Sequence, residues 1–298
     1  MFIKTENNHS NVKVTLKLNK AVAIASAISG ITALLYARMF ERKWLEVTNH
    51  RVEIHNLPQA WQGFRFAWMS DLHLGYKPSY EPVRAAFDRV IAAKPDLILL
   101  GGDYMDRGKW KPVCDELFGK LAASGIPIVG IWGNHDYFGN RRDPDKNLAH
   151  FEQLGIRILI NEDFCMERQG IPQYFIGLDD ILKGVPEPIR AKKYLPEGAK
   201  PLVTLSHNPN YIRRMPENYS EIVLSGHTHG GQLNPLPLHR KLNWLRYSTG
   251  KHHSLYPTGW YNVNGNRLYT GRGVGVTHWP LRFGSRPELA IFELQSCN

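Results

Sequence analysis

Short apolar runs that stop abruptly at polar, glycine-bearing tips constrain this chain more than any other feature. Phe64-Arg65-Phe66-Ala67-Trp68-Met69 runs straight into Ser70-Asp71-Leu72-His73. Asp96-Leu97-Ile98-Leu99-Leu100 ends in Gly101-Gly102-Asp103, and Ile126 to Trp132 leads into Gly133-Asn134-His135-Asp136. Runs of this length without polar alternation are expected to be strands buried on both faces. Between them, Val83, Phe87, Val90 and Ile91 fall at helical spacing within Tyr80 to Ala93, and a second helix is expected over Pro112 to Ala123. Strand, polar tip and helix then repeat, which is the rhythm of βαβ units and predicts an α/β fold. Further strands are expected at Arg51 to His55, Ile156 to Ile160, Tyr174 to Gly177, Pro201 to Ser206 and Glu221 to Ser225. From Gly226 onward the chain turns rich in Gly, Pro and aromatics, with short strands expected near Trp260 to Val263, Arg267 to Thr270 and Glu288 to Leu294. There is no internal repeat and no low-complexity segment.

The first fifty residues have a different texture. Ala21 to Ala37 carries no charge, with Lys4, Lys13, Lys17 and Lys20 before it and Arg38, Arg42 and Lys43 after it. It is about the minimum length for a membrane-spanning helix, roughly 17 to 25 residues. An uncleaved anchor is the leading expectation, against a cleaved signal peptide and a helix lying on the membrane. The near-symmetric flanking charge does not orient it. The domain reading is a polar, basic N-terminus over 1–20, a membrane segment over 21–37, a linker over 38–50 and one catalytic domain over 51–298.

A net charge of +10 on 298 residues favours anionic partners such as phosphate esters and acidic lipid surfaces, and general solubility accounts for it equally. No Lys and Arg block is dense enough to act as a nucleic-acid tail, so nucleic acid is not an expected partner. Cys114, Cys165 and Cys297 are odd in number, widely spaced and in no CxxC pattern, which argues against a disulfide framework or a cysteine zinc site.

Metal-binding side chains stand just after the strand-like runs, where open α/β sheets collect their ligands. The segments are Asp71-Leu72-His73, Gly102-Asp103, Gly133-Asn134-His135-Asp136, Ser206-His207-Asn208 and Gly226-His227-Thr228-His229-Gly230-Gly231-Gln232. Each alone is weak, since a lone Asp-x-His or Gly-Asp is common in turns. Together and in this order they make coincidence improbable. Carboxylate, amide and imidazole donors without thiolate suit divalent Mn, Fe or Zn, with Mn favoured. Two such ions sharing a carboxylate can activate a water and clamp phosphoryl oxygens.

Over roughly residues 62 to 294 the pattern resembles the calcineurin-like metallophosphoesterase superfamily. The resemblance implies a four-layer αββα sandwich with a binuclear metal centre at one end. Carried over, it implies Asp71, His73, Asp103 and His229 as ligands of one ion and Asp103, Asn134, His207 and His227 as ligands of the other. His135, with Asn134, would contact the substrate phosphate; His135 would protonate the leaving oxygen, and Asp136 would orient His135. A narrower resemblance, to small membrane-associated bacterial members of the family, rests on the N-terminal apolar segment, Met69 to His73, Gly226 to Gln232, Gly271 to Gly275 and Pro280 to Gly284. It implies a phosphodiesterase or pyrophosphatase at the bacterial inner membrane, and some of that branch cleave UDP-2,3-diacylglucosamine in lipid A synthesis. A phosphomonoesterase or phosphoprotein phosphatase, and a non-catalytic scaffold, are the alternatives. Arg272 reads either as a contact to a substrate phosphate or as a surface arginine on a turn. His239 to Trp260 interleaves basic and aromatic residues, which suits a lipid-facing surface, a loop capping the site or core aromatics with snorkelling cations.

Overall fold

The computed structural model describes residues 7–105, 110–137, 144–234 and 254–297. A long helix, α1 (Asn7–Met39), opens the chain and a short 3-10 turn (Glu41–Lys43) follows it. Then come β1 (Glu46–His55), β2 (Arg65–Met69), α2 (Tyr80–Ala93), β3 (Leu97–Leu100), α3 (Pro112–Ala122), β4 (Ile128–Ile131), α4 (Pro144–Gln153) and β5 (Arg157–Leu159). The second half holds β6 (Glu162–Arg168), β7 (Ile171–Gly177), β8 (Val203–Leu205), β9 (Ile222–Ser225), β10 (Gly259–Val263), β11 (Asn266–Thr270) and β12 (Glu288–Cys297).

These strands form two six-stranded sheets, in the orders β1-β12-β2-β3-β4-β5 and β10-β11-β9-β8-β7-β6. The four strands β2 to β5 are parallel neighbours, as the βαβ rhythm requires. The terminal strand β12 inserts between β1 and β2, parallel to the first and antiparallel to the second. Side chains alternate along β2. Phe66 and Trp68 face the second sheet and pack in one core with Phe175, Val203, Leu205, Ile222 and Leu224. Ala67 and Met69 face outward, under Val83, Phe87 and Val90 of α2, Leu117, Phe118 and Leu121 of α3, and Phe151 of α4. Alternation with period two is what lets one short strand serve both cores.

The molecule is thus mixed α/β with two stacked sheets. Among the described residues, the outer face of the second sheet carries no α-helix. Ile176, Val223 and Leu268 are covered there by Ala191, Tyr211, Ile212, Met215 and Tyr219, from the 3-10 turns Arg190–Lys192 and Pro209–Arg213 and the segments after the latter.

Four assignments differ from expectation. The helix α1 begins at Asn7, within the stretch read as a polar N-terminus over 1–20. Residues 46–50, read as linker, are the first half of β1, because β12 offers a ten-residue parallel partner from Glu46 to His55. The strand β6 was not expected; it pairs antiparallel with β7 through a two-residue turn at Gln169 and Gly170, both at positive φ as a tight hairpin demands. The helix α4 was not expected either; it meets the core through Leu148 and Phe151.

The helix α1 stands clear of both sheets over most of its length. Val22, Ile24, Ile28 and Ile31 are each more than half exposed. The stretch is long and apolar enough, by length and composition, to cross a bilayer. The end of α1 meets the domain at Phe283, whose ring lies edge-on to Tyr36.

Candidate metal centre

Every segment singled out above lies at the same end of the two sheets. Asp71 and His73 follow β2, Asp103 follows β3, and Asn134, His135 and Asp136 follow β4. His207 follows β8, and His227 and His229 follow β9. Hydrogen bonds tie these tips to one another. Asp71 and His73 donate their backbone N–H to the carbonyls of Gly102 and Asp103, each at 2.9 Å. The His135 N–H donates to Asp103 Oδ1 at 2.7 Å, and the His227 N–H to the Asp71 carboxylate at 3.0 Å. A Cβ at Gly133 would strike the Asp103 carboxylate and one at Gly226 would strike Ser70 and Asp71, so glycine is needed at both.

Two clusters result, Asp71-His73-His229 and Asp103-His207-His227, and in each the donor atoms lie within 4.8 Å of one another. In the first, His73 Nε2 and His229 Nε2 are 3.1 Å apart and His229 Nε2 is 3.5 Å from Asp71 Oδ1. That spacing suits two nitrogens sharing one ion at about 2.1 Å each. In the second, His207 Nε2 lies 3.3 Å from Asp103 Oδ2, which is also 3.7 Å from His73 Nε2 in the first cluster. The carboxylate of Asp103 therefore sits between the two. Asn134 Oδ1 is buried with no hydrogen-bond partner. An orphaned buried oxygen of this kind needs an explanation, and a coordinated cation supplies one.

Electrostatics point the same way. Burial pushes Asp71 up to about 6, against the pull of His207 and with the push of Asp103. Burial alone would raise Asp103, but the charge and hydrogen bond of His207, with His135 and His73, hold it well below the usual carboxylate range. Burial likewise works against the His207 imidazolium, yet Asp103, Asp71 and Asp180 hold its proton on well above the ordinary value. An arrangement that draws a proton so strongly will draw a divalent cation. His207 Nδ1 lies 2.7 Å from the Gly101 carbonyl, which leaves Nε2 free to coordinate. Burial, then His73 and Arg282, keep His229 neutral, the form a ligand must take. The donor set fits two divalent ions.

His135 stands beside the first cluster, half-buried, its ring edge-on to His73 at 4.9 Å between centroids. Asp136, expected to orient His135, is engaged by the backbone. Both of its oxygens accept backbone N–H groups, from Asp103 and Gly133 at 2.8 Å, Tyr104 at 3.0 Å and Met105 at 3.4 Å. It clamps the tip after β3 to the tip after β4. Arg272 is engaged by carboxylates. Its Nη2 pairs with Glu46 at 2.9 Å and with the buried Glu288 at 3.1 Å. Of the segment His239 to Trp260, residues 239–253 lie outside the described residues. Sequence reasoning missed Ser70, whose hydroxyl donates to Asp71 at 2.6 Å, and gave no role to Arg282, fully buried behind His229. Both fall in segments that carry the narrower resemblance, Met69 to His73 and Pro280 to Gly284, but nothing in their spacing points to these contacts.

Comparison with known proteins agrees with this geometry. The family described as calcineurin-like phosphoesterase matches residues 64–231. The chain is 29% identical to the Bacillus subtilis protein named uncharacterized metallophosphoesterase YkuE, over 88% of this chain and 90% of that one. It is 30% identical to phosphodiesterase YaeI of Escherichia coli, over 91% of this chain and 96% of that one. It is 27% identical to a transmembrane protein with metallophosphoesterase domain from Danio rerio, over 84% of this chain and 57% of that one.

Proposed function

The chain belongs to the calcineurin-like phosphoesterase family and is a metal-dependent phosphoester hydrolase, and from that premise we propose a phosphodiesterase or pyrophosphatase held at a membrane by α1. The observation that carries the proposal is the pair of donor clusters with Asp103 between them. Asp71, His73, Asp103 and His229 would hold one ion, and Asp103, Asn134, His207 and His227 the other. When bound, the ions, of the Mn, Fe or Zn class with Mn favoured, supply an activated water and charge to bind the phosphoryl oxygens.

The remaining steps fall to this chain's own residues. Asn134 and His135 face the phosphate beside the donors they flank. His135 donates a proton to the leaving oxygen, so an alcohol or phosphate departs neutralised. Asp136 and the interlocked tips keep these groups from moving apart. The diester preference is supported by the E. coli relative named a phosphodiesterase. Attachment to a membrane is supported by the exposed apolar α1 and by relatives named as transmembrane proteins, and the bacterial inner membrane is proposed from the resemblance to small bacterial members of the family. A lipid-linked nucleotide, UDP-2,3-diacylglucosamine in lipid A synthesis, is the substrate that joins these two supports.

The full chain, loaded with Mn2+ in detergent, should hydrolyse bis(p-nitrophenyl) phosphate faster than p-nitrophenyl phosphate, and should release UMP from UDP-2,3-diacylglucosamine. Faster cleavage of the monoester would favour the phosphomonoesterase reading. No cleavage of any of the three would sink the catalytic reading.

A further inference from the structure

The foot of α1 reaches the metal centre in two steps. Glu41, in the turn after α1, is only 4% exposed, where a glutamate is ordinarily found at the surface. Its Oε1 accepts the backbone N–H of Ser285 at 2.9 Å. Ser285 is buried as well, and its hydroxyl donates to the carbonyl of His229 at 2.7 Å. One helical turn before Glu41, the carbonyl of Ala37 accepts the backbone N–H of Arg282 at 3.2 Å.

Arg282 continues the connection. Its guanidinium donates from Nε to Gly275 at 3.1 Å, from Nη1 to Ser285 at 3.0 Å and from Nη2 to Gly273 at 3.1 Å, all to carbonyl oxygens. Its Nη2 also lies 3.4 Å from His229 Nδ1. The Gly275 N–H donates in turn to the Asp71 carbonyl at 2.8 Å. Arg282 is thus a strut between the loop beside Asp71 and the ring of His229. Glu41 and Ala37 fasten the strut to α1. A helix that merely tethered a domain would join it through exposed, polar residues with few contacts. A buried carboxylate satisfied from the far end of the chain is a different kind of junction.

We propose that Glu41 and Ser285 are positioning residues for the metal centre. The foot of α1 fixes the loop that carries His229, and so the ion held by Asp71, His73 and His229. This rests on reading those three as ligands of one ion. Partners behind a ligand typically change metal affinity about 10–100-fold.

The test is Mn2+ binding by the full chain in detergent, followed through the electron paramagnetic resonance signal of free Mn2+, together with thermal unfolding. The wild type should bind two ions; if it does not, the reading of the ligands fails before the positioning is in question. Glu41→Ala should weaken one ion about tenfold and leave the other within about twofold. Glu41→Gln should restore most of the loss, because its amide oxygen still accepts the Ser285 N–H. Wild-type isotherms in Glu41→Ala would overturn the proposal. Equal weakening of both ions with a lowered melting temperature would also overturn it, since that marks a merely structural contact. If Glu41→Ala does not fold, Ser285→Ala decides: selective weakening of one ion supports the proposal, and an unchanged isotherm overturns it.

Discussion

Asp71, His73, Asp103, His227 and His229 all have φ between 47° and 67°, a region that side-chain-bearing residues rarely adopt. Each such residue costs of order 1–3 kcal/mol. The cost is offset by the hydrogen bonds that knit the tips together and by the ions the donors would hold. Asp136 bears most on this clamp. Asp136→Ala would leave the N–H groups of Asp103, Tyr104, Met105 and Gly133 without their acceptor, and we expect it to cost roughly 3 kcal/mol or more. His135→Ala takes away a half-buried ring and leaves those four amides with their acceptor. It should lower the melting temperature less than Asp136→Ala while lowering turnover about 10²–10⁴-fold. Thermal melts and steady-state rates on the two variants separate these roles, and equal loss of stability in both would contradict them.

The shifted groups also fix a pH trend for chelator-treated protein. His207 is held protonated well above its ordinary value after burial is overcome by Asp103, and burial with the charge of Asp103 pushes Asp136 up to about 7. Both bind a proton more tightly folded than unfolded, so their contribution is present at lower pH and is lost as pH rises. Above about pH 6.5 His229, held neutral when folded, no longer opposes this. The melting temperature in chelator should therefore fall from pH 6.5 to 8, and saturating Mn2+ should remove the fall. A rise in chelator over that interval would contradict the assignment. The residues of the two donor clusters were legible in the sequence because each sits at a strand end in a recognisable short pattern. The true partners of Asp136 and Arg272 were not, because a carboxylate that accepts backbone amides and an arginine paired to Glu46 and Glu288 leave no trace in spacing.

At the level of elements, α2, α3 and the strands β2 to β4 were readable because both faces of each strand are buried and each helix has one apolar stripe. The hairpin of β6 and β7 was read only in part. On β6 the residues Glu162 to Arg168 are half-buried or exposed, so no apolar run announces the strand. The uncharged stretch of α1 from Ala21 to Ala37 was legible from composition, but its first turns from Asn7 were not. An Ile28→Lys change should lower its tendency to span by about 3 kcal/mol and shift the chain from the carbonate-resistant membrane fraction to the wash. Retention of Ile28→Lys in the pellet would argue for a different mode of attachment. Arg272 belongs to this scale too, because it joins β1 to β12 through Glu46 and Glu288. Arg272→Met leaves the buried Glu288 without its cation, and should lower the melting temperature without raising KM. A raised KM with unchanged stability would restore the phosphate-binding reading.

For the whole molecule, the two sheets and the end at which they place the site follow from the strand-and-tip rhythm of the first half. The outer cover of the second sheet does not. Its 3-10 turns have no periodicity to read, and tertiary contact decides them. The excess of positive charge accords with an anionic substrate and identifies none. The central claim is that two ions bound among Asp71, His73, Asp103, Asn134, His207, His227 and His229 make this chain a hydrolase. The most direct measurement is to titrate the chelator-treated full chain with Mn2+, recording bound ions and hydrolysis of bis(p-nitrophenyl) phosphate in the same samples. We predict two ions per chain, with hydrolysis appearing as the second binds and both lost in Asp103→Ala. Hydrolysis that persists in chelator, or a wild-type chain that binds no more than one ion, would contradict it.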